Sequence, residues 1–330
     1  YFENNITTAE SKNNVPVIGA ENNEVPKVDI LITLEGGDLL IQDDLKKVGL
    51  ADLTASLLNE GTKNFTTEEI SVKLDALGSS IRFSGGDRSS TIFVSTLVGN
   101  IDETLMLLEE KLFNPGFDEK DFKRINKQLR ESINNSKKSP NYMANAAMGQ
   151  LLYGKTIRGV NPSVKSIEKL KISDVKEFYN MQYNSALASI VVVGDIAQEE
   201  IMPRLSFLNK WEGQAIDINK DIPMEDYSGR EIYLVHKPGT QSIITMAHKG
   251  MKYDSDGEYY KAGVMNYVFG GAFNSRLNLN LREDKGFTYG IRSNFQGNDT
   301  DGMFYISTSV RAEATDSALT EIYKELDGYL

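Results

Sequence analysis

The stretch STIFVSTLV at residues 90–98 returns as GMFYISTSV at 302–310, and each is followed by an amphipathic run, DETLMLLEEKL at 102–112 and DSALTEIYKEL at 316–326. Leu105, Leu108 and Leu112 of one run fall opposite Leu319, Ile322 and Leu326 of the other. A chain that repeats strand and helix in register is constrained to two copies of one supersecondary unit.

The flanking patterns extend the repeat. VDILITLEGG (28–37) alternates as a strand, and GLADLTASLLNE (49–60) reads as a helix stopped by Gly61. In TTEEISVKLDALG, Thr66 and Glu69 form a capping box and Gly78 ends the helix. SSIRFSGG and STIFVSTLVG then predict a hairpin. The second copy offers strands REIYLVH and SIITMAHKG, a helix across EYYKAGVMNYVF, a loop and helix in FGGAFNSRLNLNLREDKG, and strands FTYGIRSNF and GMFYISTSV. The expected class is α+β: two homologous domains, each a mainly antiparallel sheet packed with helices. They span 1–212 and 230–330, with the polar stretch 213–229 as linker. The first copy runs on through 113–211 to the strand SIVVVGD and a last helix near Trp211. The second has no such continuation, so it reads as incomplete, in a chain that is expected to be part of something longer.

Composition narrows the chemistry. The chain has 330 residues, no Cys, two His and a formal charge of -11. That excludes thiolate nucleophiles and Cys-bound zinc, leaves little imidazole for metal or base chemistry, and disfavours nucleic acid while tolerating basic or mixed-charge peptides. No apolar run is long enough for a membrane span, and the N-terminal residues have no signal-peptide pattern. IVVVGD has one glycine, Gly194, where a dinucleotide fold needs three, and FGGAFNSRL lacks the Lys of a phosphate loop. His236 and His248, at the ends of two predicted strands, lack a third ligand.

LREDKGFTYGI (281–291) holds the sharpest candidates. Arg282 near a helix end and Tyr289 on a strand alternating Phe287, Tyr289, Ile291 can converge at the sheet's rim, as a guanidinium fork and a phenol donor. The plainer reading pairs Arg282 with Glu283 or Asp284 and leaves Tyr289 half-buried in the sheet.

Taken together, EGGDLL, GLADLTASLLNEGT, LFNPGF, YNSALASIVVVGDI, KPGTQSII and FGGAFNSRLNLNLREDKGFTYGI resemble the pitrilysin or insulinase family of zinc metallopeptidases, which includes mitochondrial-processing-peptidase subunits. The resemblance implies repeated α+β domains, four to a complete enzyme, in two halves that enclose an unfolded peptide. Active halves carry H-x-x-E-H in the helix matched by GLADLTASLLNEGT, where this chain has Asp52, Ala55 and Ser56. The third ligand position falls near Arg124. No metal is therefore expected in this chain, and zinc is expected in a partner subunit or domain bearing H-x-x-E-H. The resemblance assigns Arg282 and Tyr289 to substrate backbone binding and oxyanion stabilisation for that partner, and Gly270 and Gly271 to a substrate-contacting loop. The other class it allows is an inert structural or peptide-binding scaffold. It also implies a bacterial periplasmic or envelope setting.

Overall fold

A computed structural model describes residues 1–7, 13–227 and 229–329. The chain divides into two compact units, residues 1–133 with 162–219, and residues 134–161 with 220–330.

In the first unit, strands β1 (Phe2–Thr7), β2 (Asn14–Glu21) and β3 (Lys27–Glu35) precede helices α1 (Leu50–Leu58) and α2 (Thr67–Leu77). The hairpin β4 (Ser80–Gly85) and β5 (Ser89–Leu97) leads to α3 (Ile101–Phe113) and α4 (Glu119–Ser136). After α5 (Pro140–Tyr153), which belongs to the second unit, come α6 (Val164–Lys169), α7 (Ile172–Gln182), β6 (Ala188–Gly194) and α8 (Gln198–Arg204). The sheet order is β1-β2-β6-β3-β5-β4, antiparallel except where β2 meets β6. Alternation in each strand turns one face inward, so Val17, Ile190, Ile32, Ile92 and Phe83 stand in one row across five strands and are all buried. Thr66 and Glu69 form the expected capping box, and Gly78 closes α2 at φ 59°. Gly194 is needed for packing: a Cβ there would lie 2.1 Å from the Lys27 carbonyl of β3. The only tryptophan, Trp211, is buried, donates to the Tyr183 carbonyl at 2.9 Å and meets Phe113 edge-on.

Lys111 is buried on α3, donating to the Glu60 carbonyl at 2.9 Å. Burial pushes its ammonium down to about 8. A cation whose pKa is lower folded than unfolded loses stability wherever the unfolded chain alone is protonated, so stability rises with pH from about 8 toward 10.5. Urea melts over that window are expected to show a gain of up to about 3 kcal/mol in the wild type. The gain is absent in Lys111→Met.

In the second unit α5 lies against β7 (Gln241–Lys249). This contact carries residues 134–161 away from the 1–212 domain expected from sequence, and the 213–229 stretch divides at residue 219. After β7 come α9 (Glu258–Asn266), a π-helical turn (Tyr267–Gly271), the short α10 (Arg276–Asn278) and a second π turn (Leu279–Asp284). Then follow β8 (Thr288–Gly297), β9 (Gly302–Arg311) and α11 (Thr315–Tyr329). The order β7-β9-β8 repeats β3-β5-β4 with the same antiparallel pairing. Ile322 of α11 is fully buried, as Leu108 of α3 is. The mixed α and β architecture, antiparallel sheet against helices, thus occurs in both units.

REIYLVH, expected as a strand, is not one, and Ile232 and Leu234 are 72% and 87% exposed. In the first sheet β2 reaches β3 only through β6. Among the described residues the second sheet has no strand in β6's place, so 230–236 finds no neighbour to bond. Two strands unread in the sequence, β2 beside β6 and β1 beyond it, extend the first sheet; Pro16 and Gly19 disguise the alternation of Val15 and Val17.

Candidate functional site

Helix α1 is held by its neighbours at both ends. Buried Asp38, in the short 3-10 helix Gly37–Ile41, accepts the Gly49 and Ala51 amides at 2.9 and 3.1 Å and so covers the helix N-terminus. Desolvation pushes the Asp38 carboxyl up to about 6 despite those two bonds. At the other end Asn59 clamps the edge strand β4, donating to the Phe83 carbonyl at 2.8 Å and accepting its amide at 2.9 Å.

Asp52, Ala55 and Ser56 lie on this helix. Ala55 is buried and has no donor atom, and Ser56 offers only a half-buried hydroxyl. Asp52 still reaches water, with its carboxyl raised by desolvation. One carboxylate, one methyl and one hydroxyl do not make a zinc donor set. Among the described residues no three His, Cys, Asp or Glu gather to hold a metal. Arg124 pairs instead with Glu60 at 2.6 Å and Asp121 at 3.0 Å. The two histidines are not partners on adjacent strands: His236 lies in the segment outside the sheet, and His248 rests against Phe304, with ring centroids 5.5 Å apart.

The second unit builds a more definite site. Arg282 sits in the π turn before β8, and its guanidinium lies over Phe273, 4.2 Å from the ring centroid. Its Nη1 is 3.1 Å from Glu283 Oε1, the plainer pairing, but without hydrogen-bond geometry. Asp284 is taken by Lys285.

Tyr289 departs from both sequence expectations of its strand. Thr288 pairs with Val310 and Ile291 with Thr308, so three steps on β8 oppose two on β9. The extra residue makes a β-bulge, which re-aims side chains. Ile291 is buried while Tyr289 is 94% exposed, on no common face and not half-buried in the sheet. The tyrosine hydroxyl has no hydrogen-bond partner among the described residues. The bulge itself is tied: Thr308 Oγ1 donates to the Gly290 carbonyl at 2.9 Å and stands 2.9 Å from Thr288 Oγ1.

What fixes this corner is a set of side chains on the free edge of β8. Buried Asn278 donates to the Ile291 carbonyl at 2.8 Å and accepts the Ile291 amide at 3.1 Å. Two residues along, Asn266 donates to the Ser293 carbonyl at 2.8 Å, and two further, Tyr259 donates to the Phe295 carbonyl at 2.9 Å. Successive outward groups of an edge strand are thereby paired. Asn278 repeats what Asn59 does for β4. Sequence reading missed all three; their signal is a polar residue at a helix position whose neighbours are core, as with Asn266 between Ala262 and Phe269.

Gly270 and Gly271 end the first π turn, which is closed by the Ala272 amide on the Tyr267 carbonyl at 3.0 Å. π turns collect at functional sites. Gly270 is buried, and a Cβ there would stand 2.1 Å from Ser293 Oγ and 2.8 Å from Leu277 Cδ1. Its glycine is required by packing. Gly271 is exposed and leads to the Phe273 that underlies Arg282. Gly270→Ala is expected to destabilise the second unit by about 1–3 kcal/mol, read as a lower calorimetric midpoint, because the methyl overpacks the Ser293 contact.

A family profile described as "Insulinase (Peptidase family M16)" matches residues 17–159, and one described as "Peptidase M16 inactive domain" matches 169–330. The "Non-peptidase homolog YmxG" of Helicobacter pylori is 26% identical, over 94% of this chain and 72% of that protein. An "Uncharacterized zinc protease" of Rickettsia felis is 21% identical, over 98% of this chain and 77% of its own. The crystal structure of a peptidase M16 inactive domain from Pseudomonas fluorescens superposes with a TM-score of 0.85 at 24% identity, over 100% of this chain and 79% of that one. The periplasmic protease PqqL of Escherichia coli gives 0.78 at 13%, over 99% of this chain and 37% of its own. At such identities the two structures establish likeness of fold.

Proposed function

Because the chain belongs to the insulinase family, peptidase family M16, we propose that it is the non-catalytic half of a zinc metallopeptidase and supplies Arg282 and Tyr289 to a partner half that carries H-x-x-E-H. One observation carries this reading. A fully exposed tyrosine with an unpaired hydroxyl is aimed outward by a bulge that buried side chains hold in place. Among the described residues nothing uses that hydroxyl, whereas the backbone at Gly290 and Ile291 beside it is tied by side chains.

The zinc belongs to the partner, since Asp52, Ala55 and Ser56 do not fit it. This chain contributes donors. The Tyr289 hydroxyl donates to the oxygen that gains charge as a peptide carbonyl is attacked, and the Arg282 fork donates to backbone carbonyls and so holds the peptide in place. Phe273 beneath the guanidinium limits its motion.

The test is reconstitution. A quenched-fluorescence peptide library is offered to the H-x-x-E-H partner alone, to this chain alone and to both together. Cleavage only by the pair is expected; a partner equally active by itself sinks the proposal. The ion pair of Arg282 with Glu283 favours a second reading, an inert peptide-binding scaffold of the same fold. Under it the pair is assembled but cleaves nothing.

A further inference from the structure

Helix α4 carries its charge unevenly. The helix and the two residues after it, 119–138, hold seven Lys or Arg against three Asp or Glu, in a chain whose formal charge is -11. It buries Phe122, Asn126 and Ile133, and beside that row Lys120, Lys123 and Lys127 stand at i, i+3 and i+7, all exposed. Helix α6 buries Ile167 and exposes Lys165 and Lys169 at i and i+4. The two helices adjoin: Asn126 donates to the Ile167 carbonyl at 2.7 Å, and Arg130 meets Glu168 at 3.2 Å.

The carboxylates around this face are already used. Glu168 is held by Arg130, Asp121 by Arg124 at 3.0 Å, and Asp174 of α7 by Lys47 at 3.0 Å. Lys120, Lys123, Lys165 and Lys169 form no ion pair among the described residues. Lys127 has only an exposed contact with Glu131 at 3.8 Å, which is worth little. Like charges three and four residues apart destabilise a helix, so the fold gains nothing from placing lysines in this way. Both arginines are spent on carboxylates. What is left is an array of mobile point charges, without the planar fork that grips a single anion.

The same surface lacks apolar anchors. Among the described residues, no large hydrophobic side chain from 119 to 176 stands exposed. The core of a protein interface is depleted in Lys and built on apolar or aromatic groups, and single-stranded nucleic acid needs rings to stack on. This face offers neither. A plane of anionic headgroups requires only charge, and each Lys close to it adds to the attraction. The acidic remainder of the chain opposes this weakly, because the field of exposed charges decays over about 8 Å at physiological salt.

We infer that this face of the first unit binds the surface of an anionic bilayer, with Lys120, Lys123, Lys127, Lys165 and Lys169 set against the headgroups. The chain then lies on the membrane through charge alone. The inference does not depend on the peptidase-half reading, since it concerns where the chain sits and not what it helps to cleave.

Co-sedimentation of this chain with lipid vesicles tests it, using phosphatidylcholine alone and phosphatidylcholine with about 30% phosphatidylglycerol. Binding to the anionic vesicles only is expected, weakening about 10-fold between roughly 50 and 300 mM salt. The triple variant Lys120→Glu, Lys123→Glu, Lys127→Glu is expected to bind roughly 30-fold or more weakly, with its melting midpoint unchanged because all three sites are exposed. Lys165→Gln with Lys169→Gln, on the other helix, is expected to weaken binding about 5–10-fold. Lys63→Glu with Lys73→Glu and Lys252→Glu makes the same change of net charge elsewhere and is expected to cost less than about 3-fold. Equal binding to neutral vesicles, no binding to either kind, or equal losses in the two triple variants overturns the inference. So does tighter binding to duplex DNA than to anionic vesicles at the same salt. If the α4 variant loses a protein partner but keeps its vesicle binding, the face is a protein interface and the inference falls.

Discussion

In the reconstituted pair, Tyr289→Phe lowers kcat by about 100-fold or more and leaves KM and the melting temperature near their wild-type values. The substitution removes one oxygen from a side chain that is 94% exposed, so no buried group is left unpaired and no cavity opens. Everything it changes is therefore chemistry at the hydroxyl. A donor aimed at a developing oxyanion acts in the transition state and little in the ground state, which is why the loss falls on kcat. Arg282→Ala, by contrast, raises KM as well, because a backbone clamp holds bound peptide from the start. Steady-state kinetics of the pair decide it; equal kcat for Tyr289→Phe and wild type makes this chain a scaffold.

The largest loss of stability is expected from Asn278→Ala. One amide serves both the carbonyl and the N–H of Ile291 and reaches the Ala272 carbonyl at 3.3 Å. Truncation leaves those buried backbone groups unpaired and opens a small void, costing about 3–5 kcal/mol in the second unit. The corresponding fall in its calorimetric midpoint is roughly 10 °C or more. Activity falls with it, because the bulge that directs Tyr289 loses its restraint. Asn278→Asp, which keeps the acceptor for the Ile291 amide but not the donor, is expected to lie between. A midpoint unmoved by Asn278→Ala means that water replaces the amide and the edge of β8 needs no clamp.

Local signals carried much of this in the sequence. The capping box at Thr66, the stop at Gly78, the alternation of β3 and the β4–β5 hairpin depend on neighbours in the chain, and each could be read from residue order. The repeat was legible because Leu105, Leu108 and Leu112 and their counterparts bury the same side of a helix. REIYLVH was misread for the opposite reason. It has a strand's composition, yet strand formation needs a neighbour, and composition does not reveal whether one is present. Tyr289 shows the same limit on a smaller scale: alternation assumes an unbroken ladder, and one inserted residue turns the side chain round. Arg282 and Tyr289 stood out by residue type in LREDKGFTYGI, and the resemblance gave them a role. The Asn266, Asn278 and Tyr259 clamps were not, because a polar side chain's reach to backbone many positions away has no period.

Trp211 gives the chain an optical asymmetry. The single indole is buried in the first unit, its N–H bound to Tyr183, so its emission maximum reports the melting of that unit and of nothing else. The second unit, which holds Arg282, Tyr289 and the clamps, is spectroscopically a tyrosine protein. Damage confined to it passes unseen at tryptophan wavelengths and shows in calorimetry or in near-ultraviolet circular dichroism of its tyrosines. A variant such as Asn278→Ala would thus look intact by its red-edge fluorescence while half of its fold has loosened.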